Sequence, residues 1–129
     1  MAYTLKIERA DDEIISLEEW ESAVVQTEGV RLCTHDQHNT TVPKSGAVLR
    51  IDSSPGDAEF YDEDSQRWHF CFRMSDGAIE FNARIISRAL DGDLTDPAWL
   101  VIRKLAVQLN AMIAGEDGEI YDENAKGHL

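Results

Sequence analysis

Residues 68–82 leave the chain less freedom than any other stretch. Trp68, Phe70, Phe72 and Met74 alternate with His69, Cys71 and Arg73, the period of a strand with one buried face. Asp76-Gly77 follows, a pair whose tolerance of positive φ suits a two-residue type I′ turn. Folding back at that turn sets Met74 opposite Ile79, Arg73 opposite Glu80 and Phe72 opposite Phe81. Apolar side chains then meet on one side and opposite charges on the other. Each such pair contributes roughly 0.2–1 kcal/mol, and a one-residue slip would reverse every side chain. The expectation is an antiparallel hairpin with its four large apolar residues on a single face.

The other elements follow from local chemistry. Tyr3 to Glu8 alternates as a half-buried strand, broken by Asp11-Asp12-Glu13. Ser16 and Glu19 form a capping box, and Leu17, Trp20, Ala23 and Val24 recur at helical spacing, predicting a helix over about 17–27 that stops near Gly29. Val30 to Thr34 reads as a short strand, and His35 to Gly46 as a polar stretch with turn chemistry at Pro43-Lys44-Ser45-Gly46. Strand character returns from Ala47 through Ile51 and again over Asp57 to Tyr61, with Asp62 to Ser65 an exposed loop. Ala83 to Leu90 suits either a strand extension or a short helix. Asp96-Pro97 is an N-cap with proline at the first helical position, opening a helix over about 97–109 with Ala98, Ile102, Leu105 and Leu109 inward. Ala111 to Ala114 is a candidate closing strand. The sum is a single α+β domain over 1–129, an antiparallel sheet with two main packed helices.

Charge narrows the function classes. Twenty-five acids against 12 bases give a net charge of −13. Nucleic-acid binding depends on phosphate neutralisation by Lys and Arg, and an anionic membrane surface would repel this chain. The longest apolar run, Ala98 to Ile102, is far short of a membrane span. Met1 to Ile15 lacks an apolar export core, and Cys33 and Cys71 make no disulfide framework, so a cytoplasmic protein is expected. The excess charge sits at the ends: residues 1–30 carry net −6 and residues 91–129 net −5. Solvation explains that distribution, and so does attraction to a cationic macromolecule.

Motifs for chemistry are sparse. His35, Asp36 and His38 with Cys33 suggest a metal, and Cys33/His35 beside His69/Cys71 would place two thiols and two imidazoles together as a tetrahedral zinc set if their strands lay side by side. Asp91 to Asp96 resembles the start of a calcium loop but has Ile102 where the bidentate glutamate belongs. Glu59 or Glu80 could pair with His69 as acid and base. There is no nucleophile elbow and no glycine-rich phosphate loop, so no cofactor is expected. Two acidic segments interleaved with aromatics stand out. Asp57, Glu59, Tyr61, Asp62, Glu63 and Asp64 form one; Glu116, Asp117, Glu119 and Tyr121 form the other. Aromatic anchors ringed by carboxylates suit a basic protein surface, while a solvated loop and tail folded back on the core would account for the same residues.

In Ile15-Ser16-Leu17-Glu18-Glu19-Trp20, Gly56-Asp57-Ala58-Glu59-Phe60, the aromatic hairpin and Gly115-Glu116-Asp117-Gly118-Glu119-Ile120-Tyr121, the chain resembles a family of short acidic bacterial proteins. Some members are similar to immunity proteins encoded beside polymorphic or contact-delivered toxins. The likeness spans most of the chain, and its motifs are structural ones. It implies a protein that binds a cognate basic toxin domain, a nuclease fitting the charge best, and occludes its active site. The alternative is a small metal-dependent enzyme or regulator using His35, His38, His69 and Cys33/Cys71. A third reading is an adaptor that self-associates through an edge strand.

Overall fold

The computed structural model describes the backbone of residues 3–33, 37–41 and 48–129, and the side chains of 3–33 and 53–129. In chain order the elements are β1 (Thr4–Glu8), α1 (Leu17–Val25), β2 (Val30–Leu32), β3 (Gln37–Thr41), β4 (Val48–Asp52), β5 (Ala58–Asp62), β6 (Arg67–Ser75) and β7 (Ala78–Asn82). A 3₁₀ turn over Ala83–Ile86 then runs into α2 (Ser87–Leu90), followed by α3 (Pro97–Gln108), β8 (Met112–Gly115), β9 (Ile120–Tyr121) and β10 (Gly127–His128). Eight strands form one antiparallel sheet in the order β10-β9-β8-β1-β7-β6-β5-β2, and β3 pairs with β4 apart from it. The α+β class with an antiparallel sheet holds. Among the described residues no helix is long and apolar enough to cross a membrane.

The hairpin forms in the expected register, Met74 opposite Ile79 and Arg73 opposite Glu80. Asp76 and Gly77 take φ of +51° and +77°, the pair of positive values a type I′ turn requires. Gly77 has a second reason to lack a side chain. Its carbonyl accepts from the Ile15 N–H at 2.8 Å, and a Cβ there would lie 2.6 Å from the Ile14 side chain.

The single-face expectation for β6 fails at one residue. Ala58 pairs with Phe72 but Glu59 pairs with Phe70, so Cys71 is the extra residue of a β-bulge. Alternation reverses there. Phe72 is fully buried against Trp20 (5.7 Å between ring centroids) and Phe81 (5.9 Å), while Phe70 and Trp68 turn to the opposite side of the sheet. His69 and the buried Cys71 take the helix side instead.

Both main helices cover that helix side. Ser16 caps α1 by the capping box read from the sequence, and the Trp20 indole N–H donates to the Gly56 carbonyl at 2.6 Å. Asp96 caps α3 through the Ala98 N–H (3.1 Å) and also accepts from the Ala89 N–H (3.2 Å), tying α2 to α3. Leu5, Ile7, Ile79, Ile86, Ile102 and Leu105 are wholly buried between the layers. Each such side chain contributes roughly 1.5–3 kcal/mol.

Three strands had no reading in the sequence. β3 falls in the polar stretch and carries no apolar alternation, and β9 and β10 are two residues each. The 83–90 segment resolves as helical turns, not a strand.

Candidate binding surface

The structure does not bring the two acidic-aromatic segments together. One lies on β5 and the β5–β6 turn, the other on the β8–β9 turn and β9, with β1, β7 and β6 between them. Four strand spacings separate β5 from β8, roughly 19 Å.

Within each segment, part of the charge serves the fold. Asp57, 2% exposed, binds the Arg73 guanidinium and the Ser54 N–H. Glu59 holds Arg31 at 3.0 Å, and Arg31 in turn lies over the Trp68 ring at 4.1 Å, with Tyr61 edge-on to Trp68 at 5.3 Å. Glu119 accepts from the Tyr3 hydroxyl at 2.6 Å and from the Tyr121 hydroxyl at 3.4 Å. That bond lowers the Glu119 carboxyl below its ordinary range and pushes Tyr3 up to about 12. Glu116 and Asp117 are exposed at the β8–β9 turn.

Asp62, Glu63 and Asp64 are differently placed. They form the β5–β6 turn, where Asp62 accepts from the Asp64 N–H at 3.1 Å. Glu63 and Asp64 are exposed and make no ion pair among the described residues. The turn overhangs a cleft of about 390 Å³ between the bulged side of β6 and the helical segment from Arg84 to Ala98. Phe60, Cys71, Ile85 and Ala98 give it an apolar lining, and the three acids with Arg84 and Arg88 a charged one. Arg88 is bound to Asp93 at 2.8 Å, a bond that raises its pKa with help from the charges of Asp96 and Asp64.

No protein-family model, curated protein or solved structure matches this chain. The geometry therefore carries the functional reading.

Acid–base chemistry at His69 is poorly served. Ser65 Oγ lies 2.9 Å from His69 Nε2, and Asp62 Oδ2 lies 3.8 Å from the same nitrogen. A relay needs the carboxylate on the other ring nitrogen, so that it orients the imidazole while Nε2 serves the hydroxyl. Glu59 and Glu80, the acids expected near His69, lie on the opposite side of the sheet with Arg31 and Lys6.

A shared zinc site is not assembled from the cysteines. Cys71 faces the helices, whereas Cys33 lies on the other side of the sheet, within the fields of Asp57, Glu59 and Arg73. Burial, then the charges of Glu59 and Asp57, pushes the Cys33 thiol up to about 12, and burial alone carries Cys71 well above its ordinary value. Both are protonated thiols near neutrality and so poor nucleophiles. His35 and the His38 side chain lie outside the described residues. Among the described residues, no three His, Cys, Asp or Glu side chains gather as a metal set. The Asp91–Asp96 segment is committed to its own turn: Asp93 accepts from Thr95 and Arg88, and Asp96 from Ala98 and Ala89.

Sequence reasoning missed Arg84, Ile85 and Arg88 as a cleft wall. Their i, i+4 arginine spacing is visible in the chain, but only the packing of this short helical segment beside β6 gives it meaning.

Proposed function

We propose that this chain is an immunity-type protein that binds a basic toxin domain and blocks its active site, with the β5–β6 turn and its cleft as the docking surface. One observation supports the reading: Glu63 and Asp64, exposed and without ion-pair partners among the described residues, line a concave, partly apolar site. Charge at such a rim raises the encounter rate, and apolar walls slow dissociation. The summed field of a −13 chain acts in the same direction for any cationic partner. A nuclease domain fits best, because an enzyme that holds a phosphate backbone presents a basic active site to an acidic mimic. The resemblance to short acidic bacterial proteins, some of them similar to immunity proteins, supports the same class of partner.

The test is association with the product of the adjacent gene, followed by stopped flow at low and high salt. Replacing Asp62, Glu63 and Asp64 together by their amides should slow association by about tenfold or more at low salt and flatten the salt dependence. The same change at Glu116 and Asp117 should leave the rate within about twofold. Unaltered association of the triple variant would remove this surface from the interface.

A further inference from the structure

Helices α1 and α3 lie side by side on one side of the sheet and run antiparallel. Near one end, Val101 packs against Gly29; near the other, Arg9 bridges the Leu109 carbonyl and Glu19. Gln108 Nε2 donates to Thr27 Oγ1 at 2.8 Å between them. Their inner stripes are buried, so their outer stripes form a common surface.

Those outer stripes are complementary to each other. On α1, Glu18, Ser22 and Val25 recur at i, i+4 and i+7, with Glu21 beside them. On α3, Leu100, Lys104 and Val107 recur at the same spacing, with Arg103 beside them. Val25 is 78% exposed, Val107 71% and Leu100 48%. Glu18, Glu21 and Lys104 make no ion pair among the described residues, and Arg103 reaches only the Trp99 ring, at 6.0 Å. One helix thus presents acids around an exposed valine; its neighbour presents cations between exposed apolar residues.

We infer that this helical layer is the interface of a homodimer in which α1 of one copy lies across α3 of the other. A two-fold axis parallel to the helices and between them makes both contacts equivalent, each joining the acidic stripe to the basic one. The other two-fold arrangement sets α1 on α1 and α3 on α3, and like charges then face each other. A second copy is the favoured occupant because the layer contains both halves of the match. At physiological ionic strength, charges beyond about 8 Å are largely screened, so contacts in the layer outweigh repulsion between two distant acidic surfaces.

Light scattering and sedimentation equilibrium on the full chain at physiological ionic strength test the inference, with circular dichroism to verify folding. The expected result is a concentration-dependent dimer. R103E/K104E should raise its Kd at least about tenfold, and adding E18K/E21K to that variant should restore association. A strict monomer at all concentrations overturns the inference. So does a dimer indifferent to R103E/K104E, or one that the charge exchange fails to restore.

Discussion

The Asp57 carboxylate holds the Arg73 guanidinium at two points, Oδ1 to Nε at 3.1 Å and Oδ2 to Nη2 at 2.8 Å, at the start of the bulged β5–β6 pairing. The Asp57 side chain is 1% exposed and that of Arg73 33%. An acid read from sequence as a contact for a partner is thus a buried support for the sheet.

Removing that support should be costly. Asp57→Ala leaves Arg73 without this bidentate partner and frees the Ser54 N–H. A loss of about 2–3 kcal/mol is expected, below the range for fully buried pairs because water can reach Arg73. Urea denaturation should show a lower midpoint with an unchanged slope. The half-exposed Asp62, whose Oδ1 an asparagine amide oxygen can replace as acceptor for the Asp64 N–H, should shift stability by less than about 0.5 kcal/mol in Asp62→Asn, and a loss there comparable to that of Asp57→Ala would contradict the division between the two acids.

Gly115 fixes the C-terminal strands to β1 through what lies above it. A Cβ at this position would sit 2.0 Å from Glu119 Oε1 and 2.4 Å from its carboxyl carbon. Gly115→Ala must therefore displace Glu119 and break its bond with Tyr3. Tyr3 then returns from about 12 toward its ordinary value near 10, as it should also in Glu119→Gln. A raised phenol pKa stabilises the folded state below the unfolded value and loses that contribution as pH rises through the folded one. Alkaline titration followed by tyrosinate absorbance should show the phenol that titrates near 12 moving down in both variants.

Glu19 contributes to the acid limb of stability, as do the lowered carboxyls of Asp93, Glu119 and Asp122. The hydrogen bond with Arg9, then the Ser16 backbone N–H, lowers the Glu19 carboxyl to about 2 from 4.5. A lowered carboxyl contributes fully above the unfolded pKa and loses that contribution as pH falls from about 4.5 to 2. Glu19→Gln should flatten the stability profile across this window and leave its slope near neutrality unchanged. Ser16→Ala should cost about 1 kcal/mol near neutrality, as loss of an N-cap does, and should leave most of the Glu19 acid window in place because Arg9 is its main cause. Thermal melts across the acid range distinguish the two.

The strongest local signals in the chain were legible because the cause lies within a few residues. The Asp76-Gly77 turn and its register, the capping box at Ser16 and the Asp96-Pro97 start of α3 each depend on backbone geometry that neighbouring side chains satisfy. β3 was not legible, since Gln37 to Thr41 has no apolar period to read. The side-chain faces of Trp68 and Phe70 were misread because β6 looks regular in sequence, while its bulge exists only against β5. The acidic-aromatic segments show the same limit. Composition marks Asp57 and Glu63 alike, yet one is buried on an arginine and the other projects over a cleft.

Alternation, caps and turn residues by themselves determined the α+β class, the two main helices and the central hairpin, because those preferences are short-ranged. Tertiary structure alone decided that β1 runs between β7 and β8, that the two acidic segments lie on separate flanks, and that Arg84 and Arg88 line one cleft with Asp62 to Asp64. Such pairings join residues distant in the chain, and burying the apolar surface of the whole molecule is what selects among them.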